Sequence, residues 1–174
     1  MTPESVVDRE AIRDCLARYC RGIDRRNEDL LTGVYWPEAT DDHIQYKGSA
    51  TGFIEWVLPR LAGMEITQHF LGQSLISLHG DLATVETYFQ AYHRILDGER
   101  PADLVFGGRY LDRFAKRQGE WKILERRVIA DWFQKAFSLH AGWTSFGMRS
   151  PPPENSGSGG SEDPSGTFFA AARW

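Results

Sequence analysis

Asp24 and His69 are residue types that together can remove a proton from a carbon atom. A neutral imidazole accepts a proton near pH 7, and a carboxylate bonded to its second ring nitrogen fixes the tautomer and stabilises the imidazolium. Tyr19 or Tyr110 could donate a hydroxyl proton to a leaving group, and Arg126 could stabilise developing negative charge. Such a reaction needs no cofactor. Residue type and spacing alone also fit a second interpretation, in which the Asp and the His bond only to backbone.

Asp41 and His43 alternate along a predicted strand, so their side chains share one face. If that face borders a pocket, they add a second acid–base pair. With His69 they contain the groups of a two-His-one-carboxylate metal site, but their spacing matches no specific metal motif and we predict no metal. His93 lies on a later predicted strand and faces either the pocket or solvent.

Aromatic residues make up 13% of the chain, which suits a deep apolar pocket as well as an aromatic-rich core without one. We expect some of these rings to line a cavity that binds a hydrophobic small molecule. The candidates are Trp56, Phe89, Phe106 and Tyr110.

The composition excludes several classes of partner. The 174 residues suit a single domain, and the net charge of -4 argues against a nucleic-acid or anionic-membrane surface. No apolar run approaches the roughly 20 residues of a membrane span, and the N-terminus does not resemble a signal peptide. Cys15 and Cys20 would point about 140° apart on one helix, too divergent to bridge easily. We therefore expect a cytoplasmic protein.

The chain divides into a domain, residues 1–147, and a tail, residues 148–174. The tail is rich in Pro, Gly and Ser, a linker-like composition. Phe168, Phe169 and Trp174 near its end suggest a segment that docks, although a dangling end is the alternative.

The first half of the domain has helical periodicity. A helix is predicted from a capping box at Ser5–Asp8 to about Asp24, and a second helix is capped by Asn27 and ended by Pro37. A short strand, 39–46, and a third helix, 51–62, follow.

The second half has the pattern of four long strands, 68–78, 83–95, 104–114 and 121–137. Helices followed by such a meander predict an α+β fold in which a strongly curved mixed or antiparallel sheet wraps around a pocket. The last strand carries apolar residues on both faces, with Ile123 and Ile129 on one, and Leu124, Val128 and Ala130 on the other. Burial on both sides predicts a homo-oligomer.

Several segments resemble the SnoaL-like branch of the nuclear-transport-factor-2-like superfamily. The resemblance spans roughly residues 8–137, and it implies a cone-shaped α+β barrel. It lies in Ala11–Asp24, Val34–Thr40, Thr67–Phe70, Gly108–Phe114 and Gly119–Ile123.

Two enzymes of this superfamily are similar at the site. Asp24 and His69 match the catalytic Asp and His of hexachlorocyclohexane dehydrochlorinase, and Tyr19-Cys20-Arg21-Gly22-Ile23-Asp24 matches the Tyr-x-Arg-x-x-Asp spacing of bile-acid 7α-dehydratase. Arg126 is the nearest match to the dehydrochlorinase's Arg, but a one-residue slip would exchange it for Arg127. A Lys and a Trp of the dehydrochlorinase are Tyr19 and Asp41 here, which implies a more polar pocket.

The resemblance and the residues together predict a cofactor-independent lyase. It would abstract a proton from a hydrophobic, ring-containing substrate and expel a β-leaving group, by loss of water or by carbon–carbon cleavage. The alternatives are an isomerase or cyclase that uses the same base, the non-catalytic small subunit of a ring-hydroxylating dioxygenase, and a ligand-binding module. Similarity to the dehydrochlorinase favours a trimer over a dimer.

Overall fold

The computed structural model describes residues 2–137, 152, 158–160 and 162–165. The predicted α+β class is confirmed by the element order in these residues. In chain order the elements are α1 (Pro3–Asp24), α2 (Glu28–Val34), β1 (Tyr35–Asp42), β2 (Lys47–Ser49), α3 (Ala50–Ala62), β3 (Ile66–His79), β4 (Leu82–Asp97), β5 (Arg100–Arg117) and β6 (Glu120–Phe137).

Helix α1 begins one turn earlier than its sequence predicts. Thr2 is the N-cap, and its hydroxyl accepts the backbone N–H of Ser5 at 3.3 Å, so the predicted capping box at Ser5–Asp8 is wrong. Asp8 instead accepts hydrogen bonds from the Trp121 indole at 2.8 Å and the Lys116 ammonium at 2.7 Å. Its carboxylate therefore joins the helix to the sheet.

The boundary between α2 and β1 also differs from the prediction. Asn27 caps α2 as expected, with its side chain accepting a first-turn N–H at 2.9 Å. The helix, however, ends before Tyr35, and β1 begins there and contains Pro37, instead of starting at residue 39. The pairing of β1 with β6 is irregular between Tyr35 and Thr40. A proline is tolerated at such a point because it interrupts no regular ladder.

The strands form one mixed, open sheet in the order β2-β1-β6-β5-β4-β3. β1 runs parallel to β6, and the other neighbouring strands are antiparallel. Helices α1 and α3 cover its inner face, where Ile12, Leu16, Phe53 and Ile54 join the core. No helix among the described residues is long and apolar enough to cross a membrane.

A bulge in β6 decides which of its side chains face the core. Arg113 pairs with Glu125 and Phe114 with Ile123, so Leu124 is an extra residue. Because an inserted residue exchanges the two faces, Ile123 and Val128 are both buried, at 0% and 7% exposure. The prediction that they lie on opposite faces, with Ile129 beside Ile123, is therefore wrong.

A second bulge lies where the sequence contains Gly107 and Gly108. Gly107 pairs with Trp132 and Gly108 with Ala130, so the register shifts between them. A Cβ on Gly107 would lie 2.0 Å from the Trp132 ring, and one on Gly108 would lie 2.1 Å from the Ile129 carbonyl oxygen. These glycines therefore lie where the strand bulges and where neighbouring groups approach its backbone closely.

Candidate active site

Asp24 and His69 are hydrogen-bonded to each other at the junction of α1 and β3. The Asp24 Oδ1 atom lies 2.7 Å from the His69 Nδ1 atom, and its Oδ2 atom accepts the His69 backbone N–H at 2.8 Å. The Thr67 hydroxyl donates to Oδ1 at 3.5 Å. Both carboxylate oxygens are thus bound, and the imidazole has one defined orientation.

The environment of Asp24 keeps its carboxylate ionised. Burial raises the pKa of this group, but the side-chain and backbone hydrogen bonds from His69 and the nearby charge of Arg25 outweigh burial and lower it. A charged carboxylate at the His69 Nδ1 atom favours the tautomer with its proton on that nitrogen. The Nε2 atom is then left as the acceptor.

His69 forms part of the wall of a cavity of about 360 Å³ between the helices and the sheet. Apolar side chains make up most of this wall, among them Ile23, Val57, Leu61 and Leu104. Eight of the residues predicted for the site also line it: Tyr19, His43, Trp56, His69, Phe89, His93, Phe106 and Tyr110.

Aromatic packing fixes one side of the cavity. The Phe89 ring stacks on Tyr110 with centroids 4.3 Å apart, and Phe106 meets His93 edge to face at 5.8 Å. Such contacts restrict ring rotation. The wall opposite the helices is therefore built of rings with defined orientations.

Arg126 and Asp41, which the sequence predicts for the site, are not among the residues that line this cavity. The Arg126 side chain is fully buried and forms two hydrogen bonds with Asp112, at 2.8 and 2.7 Å. Its guanidinium carbon lies 4.0 Å from the Tyr19 ring centre and 4.1 Å from that of Tyr110. Both rings pack against the guanidinium group. Arg126 therefore supports two residues of the cavity wall without lining the cavity itself. The β6 bulge turns Arg126 inward and leaves Arg127 exposed.

Asp41 is buried behind His43 and forms a second His–carboxylate pair. Its Oδ1 atom lies 3.1 Å from the His43 Nδ1 atom, and its Oδ2 atom accepts the Tyr35 hydroxyl at 2.6 Å. The His43 ring stacks on Phe53 with centroids 4.5 Å apart. Two histidines of the cavity are therefore each held by a buried carboxylate.

Two residues of the cavity wall each have a buried polar atom that lacks a hydrogen-bond partner among the described residues. Within the described residues, neither the Tyr19 hydroxyl nor the His93 Nδ1 atom has a hydrogen-bond partner, although both atoms are buried. Burial raises the pKa of Tyr19, so its hydroxyl stays protonated. Burial and the charge of His69 lower the pKa of His93 to about 4, so its ring is neutral at neutral pH. Unsatisfied groups of this kind are available to a bound molecule.

Sequence reasoning missed the part of the cavity formed by α3 and the β1–β2 loop. Arg60 lines it together with Trp56 at i, i+4 spacing on α3, a spacing that the sequence shows. Met64, just after the helix, also lines it. The Arg60 guanidinium lies 4.1 Å from the Trp56 ring centre. Ile44 also lines the cavity and has a φ of 64°, an uncommon conformation for a β-branched residue.

A metal-binding cluster and a second groove are the other features that would bear on ligand binding. No group of three His, Cys, Asp or Glu side chains that could hold a metal ion occurs within the portion of the chain that the structure describes. A larger groove, about 610 Å³, lies outside α1 and α2 and is lined by charged surface residues such as Asp14, Arg18 and Lys122, with no histidine. We place the candidate site in the 360 Å³ cavity because the paired histidines are there.

Comparisons with known proteins agree with this architecture. A crystal structure of hexachlorocyclohexane dehydrochlorinase LinA-type3 from Novosphingobium barchaimii superposes with a TM-score of 0.65 at 18% identity, covering 85% of this chain and 97% of the other. A protein provisionally named scytalone dehydratase, from Novosphingobium aromaticivorans, gives 0.68 at 20% identity, covering 77% and 91%. At such identities these likenesses show the fold alone.

Sequence comparison identifies the family. The uncharacterized protein Rv2910c of Mycobacterium tuberculosis is 29% identical over 137 residues, covering 75% of this chain and 89% of that protein. The model of the SnoaL-like domain matches residues 4–127. The chain therefore belongs to the SnoaL-like domain family, within the nuclear-transport-factor-2-like superfamily.

Proposed function

We propose that this protein is a cofactor-independent lyase that removes a proton from a ring-containing substrate and expels a β-leaving group. The observation that supports it best is the 2.7 Å bond between Asp24 and His69 at the wall of an apolar cavity. Among the structural neighbours, one is named a dehydrochlorinase and another, provisionally, a dehydratase. Both names describe eliminations.

In this proposal His69 is the catalytic base and Asp24 is the positioning residue. The His69 Nε2 atom takes a proton from the substrate carbon, while the Asp24 carboxylate stabilises the imidazolium that forms. The Tyr19 hydroxyl donates a hydrogen bond to a substrate oxygen on which charge accumulates. Arg126 does not touch the substrate. It holds the Tyr19 and Tyr110 rings in place from behind.

The cavity restricts the class of substrate. Its volume is near the lower end of the range of about 300–1,000 Å³ for small-molecule sites, and its wall is mostly apolar with a few polar atoms at histidine and tyrosine side chains. We expect a compact molecule of one or two rings with an acidic C–H bond next to a carbonyl group.

The test is turnover of simple β-hydroxy cyclic ketones. 3-Hydroxycyclohexanone and 3-hydroxy-1-tetralone lose water to give a conjugated enone and a naphthol, whose ultraviolet absorbance reports the reaction. The wild type and a His79→Gln control, changed at an exposed histidine outside the cavity, should react alike, and His69→Gln should be inactive. Failure of the wild type to react with either compound, or full activity of His69→Gln, would contradict the proposal.

Proton transfer between imidazole and carbon needs no metal, so dialysis against EDTA should leave kcat unchanged. A loss of activity that a divalent cation restores would contradict cofactor independence. In that case Asp41, His43 and His69 would be the candidate metal ligands.

An isomerase is a second candidate because three histidines, His43, His69 and His93, share the cavity. One ring could remove a proton and another return it at a different carbon. Reaction of the same ketones in D₂O distinguishes the two. An isomerase incorporates deuterium without loss of hydroxide, whereas a lyase releases water.

A further inference from the structure

We propose that His43 is a second catalytic residue of the cavity and acts as the general acid that protonates the leaving group. The inference rests on the proposed elimination, in which His69 is the base. It is drawn from the pair that His43 forms with Asp41, its place on the cavity wall, and the distribution of buried charge around it.

The geometry of this pair matches that of a proton donor held in one orientation. Asp41 is 0% exposed at its side chain and binds the His43 Nδ1 atom at 3.1 Å, while Tyr35 fixes the second oxygen of the carboxylate at 2.6 Å. Stacking on Phe53 fixes the plane of the ring. His43, but not Asp41, lines the cavity. The Nε2 atom is therefore the polar atom of this pair that remains for a ligand.

His43 is the basic side chain that Asp41 contacts. Arg126 forms two hydrogen bonds with Asp112. Asp41 also accepts the Tyr35 hydroxyl, and among the described residues His43 is the only basic side chain within ion-pair distance of it. A buried carboxylate is costly without such a partner, and its charge stabilises an imidazolium.

The Asp24 carboxylate is in a different environment. It accepts the His69 backbone N–H and the Thr67 hydroxyl, and it lies near Arg25. Its oxygens therefore have two hydrogen-bond donors that do not depend on the charge of the His69 ring. Two His–carboxylate pairs whose surroundings differ in this way are suited to opposite roles, one as acid and one as base.

His43, His69 and His93 line the same cavity. The His69 and His93 rings are 5.6 Å apart, and positive charge on either His69 or His43 lowers the pKa of His93. The ionisable groups around His43 are Asp41 and Tyr35 on β1, His93 on β4, Asp112 on β5 and Arg126 on β6.

The step balances without another reactant. The substrate C–H bond breaks and its proton binds the His69 Nε2 atom, while the electron pair forms the new C=C bond. The C–O bond breaks, and the oxygen takes the Nε2 proton of His43 and leaves as water. His69 ends protonated and His43 neutral. Transfer of one proton from His69 to His43 through water restores the resting state.

The test compares two leaving groups on one ring. Hydroxide must be protonated to leave, whereas chloride leaves as a stable anion. His43→Gln should lower kcat for 3-hydroxycyclohexanone at least about 100-fold more than it lowers kcat for 3-chlorocyclohexanone. His69→Gln should lose both reactions, and His79→Gln neither. Equal slowing of both probes by His43→Gln, or slowing of neither, would overturn the inference, because a merely structural role does not depend on the leaving group.

A second measurement needs no substrate. ¹⁵N spectra of the histidine rings report directly whether each nitrogen carries a proton. A general acid must carry the proton that it donates, so we expect both ring nitrogens of His43 to be protonated at the pH of turnover, and Asp41→Asn to lose this state. A His43 ring that stays neutral throughout would overturn the inference even if the lyase proposal holds. If the wild type reacts with neither ketone, the lyase proposal fails instead.

Discussion

At the scale of single residues, the protein holds two histidines with two buried carboxylates on one small cavity. Asp24 binds His69 and Asp41 binds His43, each through the Nδ1 atom. In both cases the side-chain bond leaves the Nε2 atom for a ligand. The chemistry expected of the site depends on how these two pairs divide the acid and base roles.

Removing either member of the Asp24–His69 pair should have a severe effect on catalysis. His69→Ala removes the base, and Asp24→Asn permits the wrong tautomer, so each should lower kcat by at least about 100-fold. The double variant should be hardly slower than His69→Ala, since both residues serve one proton transfer. Steady-state kinetics on 3-hydroxycyclohexanone provide the measurement. Retention of more than about a tenth of wild-type kcat in His69→Ala would contradict the mechanism.

His93 should make folding stability depend on pH. Its folded-state pKa is lowered to about 4 by burial and the charge of His69, whereas an unfolded histidine titrates near 6.5. Between these values the unfolded chain binds a proton that the native state does not. The free energy of unfolding is therefore expected to be largest above pH 6.5 and to fall by about 3 kcal/mol as the pH falls to 4.

Urea denaturation at several pH values measures this dependence. His93→Asn should flatten the curve between pH 4 and 6.5, while the His79→Gln control keeps the wild-type slope. If His93→Asn keeps the wild-type slope of the free energy of unfolding against pH, groups other than His93 cause the pH dependence.

At the scale of elements, two bulges in the pairing of β5 with β6 shape the cavity. One changes the faces of β6 after Leu124, and the other lies at Gly107 and Gly108. The first brings Arg126 behind the Tyr19 and Tyr110 rings. The second allows Trp132 and the Ile129 carbonyl to approach the glycine backbone.

Gly108→Ala tests the second bulge. The new Cβ would lie 2.1 Å from the Ile129 carbonyl oxygen, a backbone atom that cannot rotate away. We expect a loss of about 1–3 kcal/mol in the free energy of unfolding. Gly33→Ala in α2 is the matched control, because nothing lies within 4 Å of its Cβ position, and a helical Gly→Ala change gains up to about 1 kcal/mol. Chemical denaturation measures the free energy of unfolding of both variants. Equal values would contradict a close approach of the Ile129 carbonyl to Gly108.

At the scale of the whole molecule, part of the predicted tail packs on the end of α1. The buried Asp163 carboxylate lies 3.4 Å from the Arg25 Nε atom and accepts the backbone N–H groups of Ser158 and Ser165. Gly160 N–H donates to the Arg25 carbonyl at 2.8 Å. The predicted docking of Phe168, Phe169 and Trp174 lies outside the described residues.

Asp163→Ala should release this contact. Loss of a buried carboxylate with three partners is expected to lower the free energy of unfolding by about 1–3 kcal/mol, whereas Ala at the neighbouring exposed Glu162 should have almost no effect. Thermal denaturation compares the two. Identical melting temperatures for both variants would show that the tail contributes nothing to stability.

We also propose that the chain forms a homo-oligomer, with a trimer favoured over a dimer. The outer face of β3 and β4 exposes Phe70, Leu75, Leu82 and Tyr88, with Phe70 at 69% and Leu75 at 74%, and apolar residues grouped on one face are typical of an interface. Light scattering at micromolar concentration should give a multiple of the chain mass. Leu75→Lys should lower the measured mass towards that of a single chain. A monomeric mass for the wild type would contradict the proposal.

Much of the architecture follows from local patterns in the sequence. Helical and strand periodicity place all three helices and the four long strands, because burying one face of an element imposes its period on the chain. The Tyr19–Asp24 spacing and the strand position of His69 indicate the pair that the structure brings to 2.7 Å. The alternation of Asp41 and His43 likewise indicates a second pair.

Other features depend on contacts between residues far apart in the chain, and only the tertiary structure decides them. Local periodicity assigns Ile123 and Val128 to opposite faces, but the bulge opposite Arg113 and Phe114 brings both inward. The bulge exists because β6 must pair with β5 along its whole length, and no short stretch of sequence specifies that register. For the same reason only the folded chain places Arg126 behind the cavity wall.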